Sequence, residues 1–397
     1  MDCEQQQDYF KDVCRSMASS ATLVDCNKVL YKKTEQVLET TAHIQQQYRS
    51  NNFDFLRFVF ALLVVISHSY PLSGTAETSQ WIVQLTDGQT NYAAIGLNGF
   101  FVISGFFIYR SFDRSPSIWV FLRKRALRIF PGLFVVLLLS VMTVPLVYEG
   151  DVPLLHNKDW FTYLPYNLSL YGFQGVVSGV FDNNFYHAIN GSLWTIRYEF
   201  TLYLCISVFY LVQGNQLLIR LALLITSLLM LVGYLFFKNQ LGPVSLLGLV
   251  GYNILNLGTF FVLGSLLGTF VFERYVRWVF VLGLLVLLVA SIYFNLYDLF
   301  KHVLFTPLIL MIGFLTVRGI SKFGKWGDAS YGIYIYSFPI QQLLVYYFAP
   351  NVTVLMGLSV LLSIIFGILS WHLIEKRALK LKNKPFSVYR RKWLSPR

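Results

Sequence analysis

Residues 53 to 72 read Phe53-Asp-Phe-Leu-Arg57-Phe-Val-Phe-Ala-Leu-Leu-Val-Val-Ile-Ser-His68-Ser-Tyr-Pro-Leu72. A segment this long and apolar matches what a helix needs to cross a hydrocarbon layer about 30 Å thick. The same reading along the chain predicts ten spans, at 53–72, 94–110, 129–148, 194–212, 218–237, 246–271, 278–296, 300–317, 329–349 and 353–373. Composition agrees: 55% of the 397 residues are hydrophobic and only 13% are charged, where a soluble domain carries about 25% charged residues. The expectation is an all-α, polytopic integral membrane protein.

Lys and Arg set the orientation, because positive connections stay in the cytoplasm. An N-terminus inside puts Arg110, Arg114, the basic residues from Arg123 to Arg128, Arg220, Arg274, Arg277, Arg318, Lys322 and Lys325 in inner connections. The opposite connections then hold only Lys158, Lys238 and Lys301. Both termini are therefore expected to be cytoplasmic. Three zones follow: a polar, Gln-rich and helical-looking extension over 1–50, a membrane domain over 51–375, and a basic tail over 376–397. The net charge of +12 forms no continuous basic face, which argues against nucleic acid as a partner. No cleavable leader is visible ahead of the first apolar run, and the four cysteines make no disulfide framework.

Charged groups inside a membrane span cost at least a few kcal/mol and demand a partner, a wet cavity or a function. Arg57 and His68 are eleven residues apart in the first span. At 100° per residue they share one helix face, separated by about 16 Å. Asp54, three residues before Arg57, is placed to pair with it. A second locus, Gly191-Ser-Leu-Trp-Thr-Ile-Arg-Tyr-Glu199, brings Arg197 and Glu199 into the fourth span, Glu199 at a depth comparable with His68. A third, Phe121-Leu-Arg-Lys-Arg-Ala-Leu-Arg-Ile-Phe-Pro131, sets Arg125 and Arg128 on one face beside Arg123 and Lys124. Guanidinium forks in such a cluster suit phosphates, although a basic loop is also what topology alone requires.

Together these loci resemble the membrane-bound acyltransferase-3 family, which O-acetylates polysaccharides, O-antigens and Nod factors. Arg57 and His68 look like its Arg-x10-His signature, Arg125-Ala-Leu-Arg128 like its Arg-x-x-Arg motif, and the 191–199 segment like its Leu-Trp-Ser-Leu-x-x-Glu block. Phe100-Phe-Val-Ile-Ser-Gly-Phe-Phe-Ile108, Ser330-Tyr-Gly-Ile-Tyr-Ile-Tyr336 with Phe338-Pro339, and Ile374-Glu375-Lys376 are similar to its remaining blocks, in order and in register. Asn98, Ser337 and Arg377 stand where many members carry Asp, His and Pro, which leaves His68 as the only histidine inside a motif. The resemblance implies a multi-pass protein of a bacterial inner membrane that takes an acyl group from cytoplasmic acetyl-CoA, or another acyl-CoA, to a sugar hydroxyl of a glycan or lipid-linked saccharide on the outer side.

On this reading Arg123, Arg125 and Arg128 hold the CoA phosphates and Arg57 lines the path of the pantetheine arm. His68, with an unperturbed pKa near 6.5, serves as general base or transient acyl carrier, and Glu199 orients it. Asn98, Ser192, Trp194, Arg197, Tyr198 and Tyr203 are candidates for the acceptor pocket. No metal-ligand spacing is present and none is expected in the chemistry. The rival expectation is a proton-coupled transporter or flippase in which Arg57, His68 and Glu199 form a relay. The sequence leaves the acceptor glycan and the oligomeric state open.

Overall fold

A computed structural model describes residues 51–317 and 319–383. The expected N-terminal extension over 1–50, Arg318 and the end of the basic tail lie outside the described residues. Ten helices stand where spans were expected: α1 Phe53–Leu72, α2 Tyr92–Asp113, α3 Ile118–Val147, α4 Ile196–Ser207, α5 Gln216–Leu241, α6 Gly251–Gly268, α7 Trp278–Tyr293, α8 Tyr297–Phe314, α9 Ser330–Phe348 and α10 Val352–Ser370. Among the described residues, eight helical segments are long and apolar enough to cross a membrane. The two that miss this measure are α7, apolar but only 16 residues long, and α9, whose tyrosines and glutamines dilute its apolar character. The only strands in the described part form a small hairpin, Ser245–Leu246 with Leu249–Val250, just before α6.

Local chemistry explains most helix boundaries. Asn91, Ser117, Asn215 and Asn351 each accept a hydrogen bond from the backbone N–H three residues on, satisfying a donor that the first turn would leave open. The cap at Ser117 starts α3 eleven residues before the expected span, so the basic run from Arg123 to Arg128 is helical. At the other end α10 passes through a π-helical turn, Trp371–Glu375, into a short helix, Lys376–Leu379. The chain thus runs on without a break across the expected boundary at residue 376.

Proline inside a span frees the carbonyl four residues back, and in an apolar medium that carbonyl needs a new partner. Trp160 donates its indole N–H to the Val141 carbonyl that Pro145 frees, at 3.1 Å. Asn190 donates its amide to the Ile335 carbonyl that Pro339 frees, at 2.8 Å. Both donors come from the long connection between α3 and α4, so these bonds fasten that connection to the bundle.

The helices pack closely through small residues. A Cβ on Gly105 of α2 would stand 2.0 Å from the Phe261 carbonyl of α6, and one on Gly264 would stand 2.4 Å from the Val102 carbonyl. Only glycine permits this backbone approach, which binds α2 to α6. The other side of α2 lies on α1, with Gly96 against the Phe60 carbonyl. Helix α9 packs on both α1 and α10. Bonds between Arg110 and Glu273, Arg128 and Glu375, and Arg123 and the Leu381 carbonyl gather at one end of the bundle, called here the basic end. The start of α1 and the last described residues both lie there.

Candidate active site

A cavity of about 560 Å³ opens among α1, α2, α3, α4 and α9 at the basic end, with Leu97, Thr195 and Tyr334 also in its lining. Its mouth carries Arg57, Arg114, Lys124, Arg125, Arg128 and Lys382, with Asp328 among them. These cations fall into two sets. Arg128 reaches Asp328 at 2.5 Å and Glu375 at 3.4 Å, and Arg57 reaches Asp54 at 3.1 Å and Asp328 at 3.6 Å. These two are already neutralised. Burial opposes ionisation of Asp328, but the guanidinium of Arg128, then that of Arg57, and hydrogen bonds from Ser330 hold its carboxyl below the usual carboxylate range.

Arg114, Lys124, Arg125 and Lys382 form the second set, with no carboxylate within ion-pair distance among the described residues. Lys124 donates to the Ser115 hydroxyl at 3.0 Å, and Arg125 to the Ser111 hydroxyl at 3.3 Å. The Arg125 Nε is buried without a hydrogen-bond partner. These groups face the cavity with unspent positive charge. Arg123 does not line it: its guanidinium donates to the Leu381 carbonyl at 2.6 Å. Of the expected phosphate set, Arg125 and Arg128 line the cavity and Arg123 points away from it, because at 100° per residue it stands about 140° or more round the helix from the other two. Asp328 and Lys382 were not singled out in the sequence. Asp328 precedes α9 and bonds the Ser330 N–H at 3.3 Å, a pattern that reads simply as helix capping.

Deeper in the cavity Glu199 accepts hydrogen bonds from Ser104 at 3.1 Å and from Tyr203. No hydrogen bond joins Glu199 to His68 among the described residues. The end wall is Tyr334, which donates to the Ser192 carbonyl at 2.8 Å, bonds Thr195 at 2.6 Å, and has its ring 6.2 Å from that of Phe100. His68 lies beyond this wall and is absent from the lining. It is half-buried, its Nδ1 is buried without a partner, and its ring meets Phe338 edge-on at 5.3 Å. Phe338 stands one helical turn after Tyr334 and also packs on Gly191, where a Cβ would come within 2.6 Å of its ring. Arg57, His68 and Glu199 therefore do not form one contiguous relay.

The six acceptor candidates separate as well. Tyr203 belongs to the cavity through Glu199. Ser192 is fully buried, with a hydroxyl that has no partner. Trp194 packs edge-on against Tyr198 at 5.5 Å, and the Arg197 guanidinium lies 5.2 Å over Phe173. The Tyr198 hydroxyl accepts the Val250 N–H at 2.7 Å. That group anchors the strand hairpin and lines no part of the cavity. Asn98 opens onto a second polar cavity of about 370 Å³, with Asn91, Asn256, Asp298 and Lys301. Ala94 and Asn98 occupy a face of α2 turned some 100° or more from the Gly96 and Gly99 face that meets α1.

Residues 50–372 match the model of the acyltransferase-3 family, described as an acyltransferase domain. The chain belongs to that family, and its fold is that of an all-α polytopic membrane protein. It is 28% identical over 352 residues to the O-acetyl transferase of Shigella phage Sf6, covering 86% of this chain and 99% of that protein. It is 35% identical over 179 residues to Nodulation protein 10 of Rhizobium leguminosarum bv. viciae, covering 39% of this chain and 42% of that protein. No solved structure matches the chain.

Proposed function

We propose that the protein transfers an acyl group, acetyl in the first instance, from acyl-CoA on the cytoplasmic side to a sugar hydroxyl of a glycan or lipid-linked saccharide on the outer side of a bacterial inner membrane. In this reading the basic end of the bundle faces the cytoplasm. The observation that carries it is the cavity: cations without carboxylate partners at its mouth, and a polar, half-buried carboxylate at its depth. Arg125 and Lys124, with Arg114 and Lys382, hold the CoA phosphates by charge-assisted hydrogen bonds. Arg57 and Arg128, tied to Asp54, Asp328 and Glu375, shape the mouth. The pantetheine arm passes Ser104, Glu199 and Tyr203, which offer its amides hydrogen bonds.

At the opposite end His68 removes the proton from the acceptor hydroxyl. The oxygen attacks the thioester carbonyl, the C–S bond breaks, and the thiolate leaves and takes up the proton. Before this the acyl end must pass the layer of Tyr334 and Phe338 that separates the cavity from His68. Ser192 and Trp194, next to the glycine on which Phe338 packs, are the acceptor contacts nearest that layer along the chain. The name of the phage relative supports O-acyl transfer. The test is His68→Ala in purified, membrane-reconstituted protein, with labelled acetyl-CoA and cell-surface glycan. Loss of transfer with retained CoA binding is expected; undiminished transfer would remove His68 from the chemistry.

A further inference from the structure

We infer that Gln341 of α9 is the positioning residue that sets the orientation and tautomer of His68; this rests on the reading of His68 as general base. Glu199, the partner expected from the sequence, is engaged with Ser104 and Tyr203 inside the cavity. The α1 turn that carries His68 is held by two other side chains. Ser67 exchanges hydrogen bonds with the fully buried Gln80, at 3.1 and 3.3 Å. On the other flank Gln341, also fully buried, donates its amide nitrogen to the Val65 carbonyl and to the Ser69 hydroxyl, both at 2.9 Å.

This grip is needed because Pro71 cannot donate to the Ser67 carbonyl, so the helix is weakest at this turn. It also settles which way the Gln341 amide faces. Turned over, its oxygen would oppose the Val65 carbonyl oxygen, so the nitrogen must point to α1 at Val65 and Ser69. The remaining atom, Oε1, is buried and has no partner. An amide oxygen stripped of water and left unbonded is costly, and a structure keeps one where a partner is to come.

The partner available on that seam is His68 Nδ1, likewise buried and unbonded. Phe338, one turn before Gln341 on the same face of α9, already meets the imidazole edge-on. In the competent state inferred here the imidazole turns about its side-chain torsions so that Nδ1–H donates to Oε1 and Nε2, then without a proton, faces the acceptor. A neutral amide adds no charge beside the histidine and dictates only where its proton sits. Two polar atoms unpaired in the resting structure become one hydrogen bond in the competent one.

The experiment has three arms in the full-length reconstituted protein. His68→Ala decides the underlying reading: loss of transfer upholds it, and retained transfer ends it whatever Gln341 does. Gln341→Leu is expected to lower kcat about tenfold to a hundredfold with the acetyl-CoA KM unchanged, as for loss of a bond that fixes a catalytic imidazole. In the third arm, nitrogen-15 NMR of histidine-labelled protein saturated with acetyl-CoA, with the His68 resonances assigned by difference from His68→Ala, reads the tautomer directly. Wild type should show the Nδ1–H form and Gln341→Leu a shift toward Nε2–H. A wild-type Nε2–H form, or Gln341→Leu with kcat within twofold, overturns the inference while leaving His68 as base. Should Gln341→Leu fail to fold, the wild-type tautomer alone decides.

Discussion

At one end of α1, Arg57 shares Asp328 with Arg128 beside an open cavity. At the other, eleven residues on, His68 lies against Phe338 among uncharged glutamines and serines. The basic end holds its charges in pairs and has spare cations facing open space, as befits a place where an anion docks and leaves. The His68 end has no ion pair at all among the described residues of its turn, and it is packed and fixed by neutral hydrogen bonds. The imidazole has an aromatic ring and neutral amides beside its turn and no carboxylate among the described residues there. Under the proposed function the two ends of one helix face have two tasks, anchoring and proton transfer.

The largest effect that would break this contrast is at the neutral end. His68→Ala is expected to reduce transfer about a thousandfold or more, the scale of a lost general base, while CoA affinity measured by titration in detergent stays as in wild type. At the charged end, Arg125→Ala combined with Lys124→Ala should weaken CoA binding by about tenfold to a hundredfold, because each removes a phosphate contact without exposing a carboxylate. Equal affinity would move the phosphates elsewhere.

Asp328→Asn should act on stability before activity. It leaves Arg57 and Arg128 short of a counter-charge, and a loss of about 3 kcal/mol in thermal or denaturant unfolding is expected. Because the Asp328 carboxyl is held below its usual range, its stabilisation is complete above the ordinary carboxylate pKa of about 4 and is lost as pH falls through the lowered value. The gap between wild type and Asp328→Asn should therefore be widest near neutrality and close in strong acid; a gap that widened in acid would contradict the pairing. Smallest of all, Tyr334→Phe removes the bonds to Thr195 and the Ser192 carbonyl and should cost about 1 kcal/mol of stability, read as a small drop in melting temperature.

Much of the bundle was legible because a span announces itself by length and apolarity, and α1 fell where its residues predicted, Phe53 to Leu72. The start of α3 was missed because the hydropathy reading discounts a basic run, whereas the backbone obeys the Ser117 cap and continues helical through Arg123 to Arg128. The pairing of Asp54 with Arg57 was visible from their spacing. Gln341 gave no signal, since an uncharged amide in an apolar helix carries none of the cost that draws notice to a buried charge.

The sequence by itself determined the membrane bundle and the family, because hydropathy and the order of motifs are properties of neighbours along the chain. Only the tertiary structure decided which cations are paired with carboxylates and which are not, and that Gln341 rather than Glu199 borders the turn of His68. Those outcomes depend on α1, α2, α3, α4 and α9 arriving at one seam from distant parts of the chain, and charge pairing and hydrogen bonding at a few ångströms are set there.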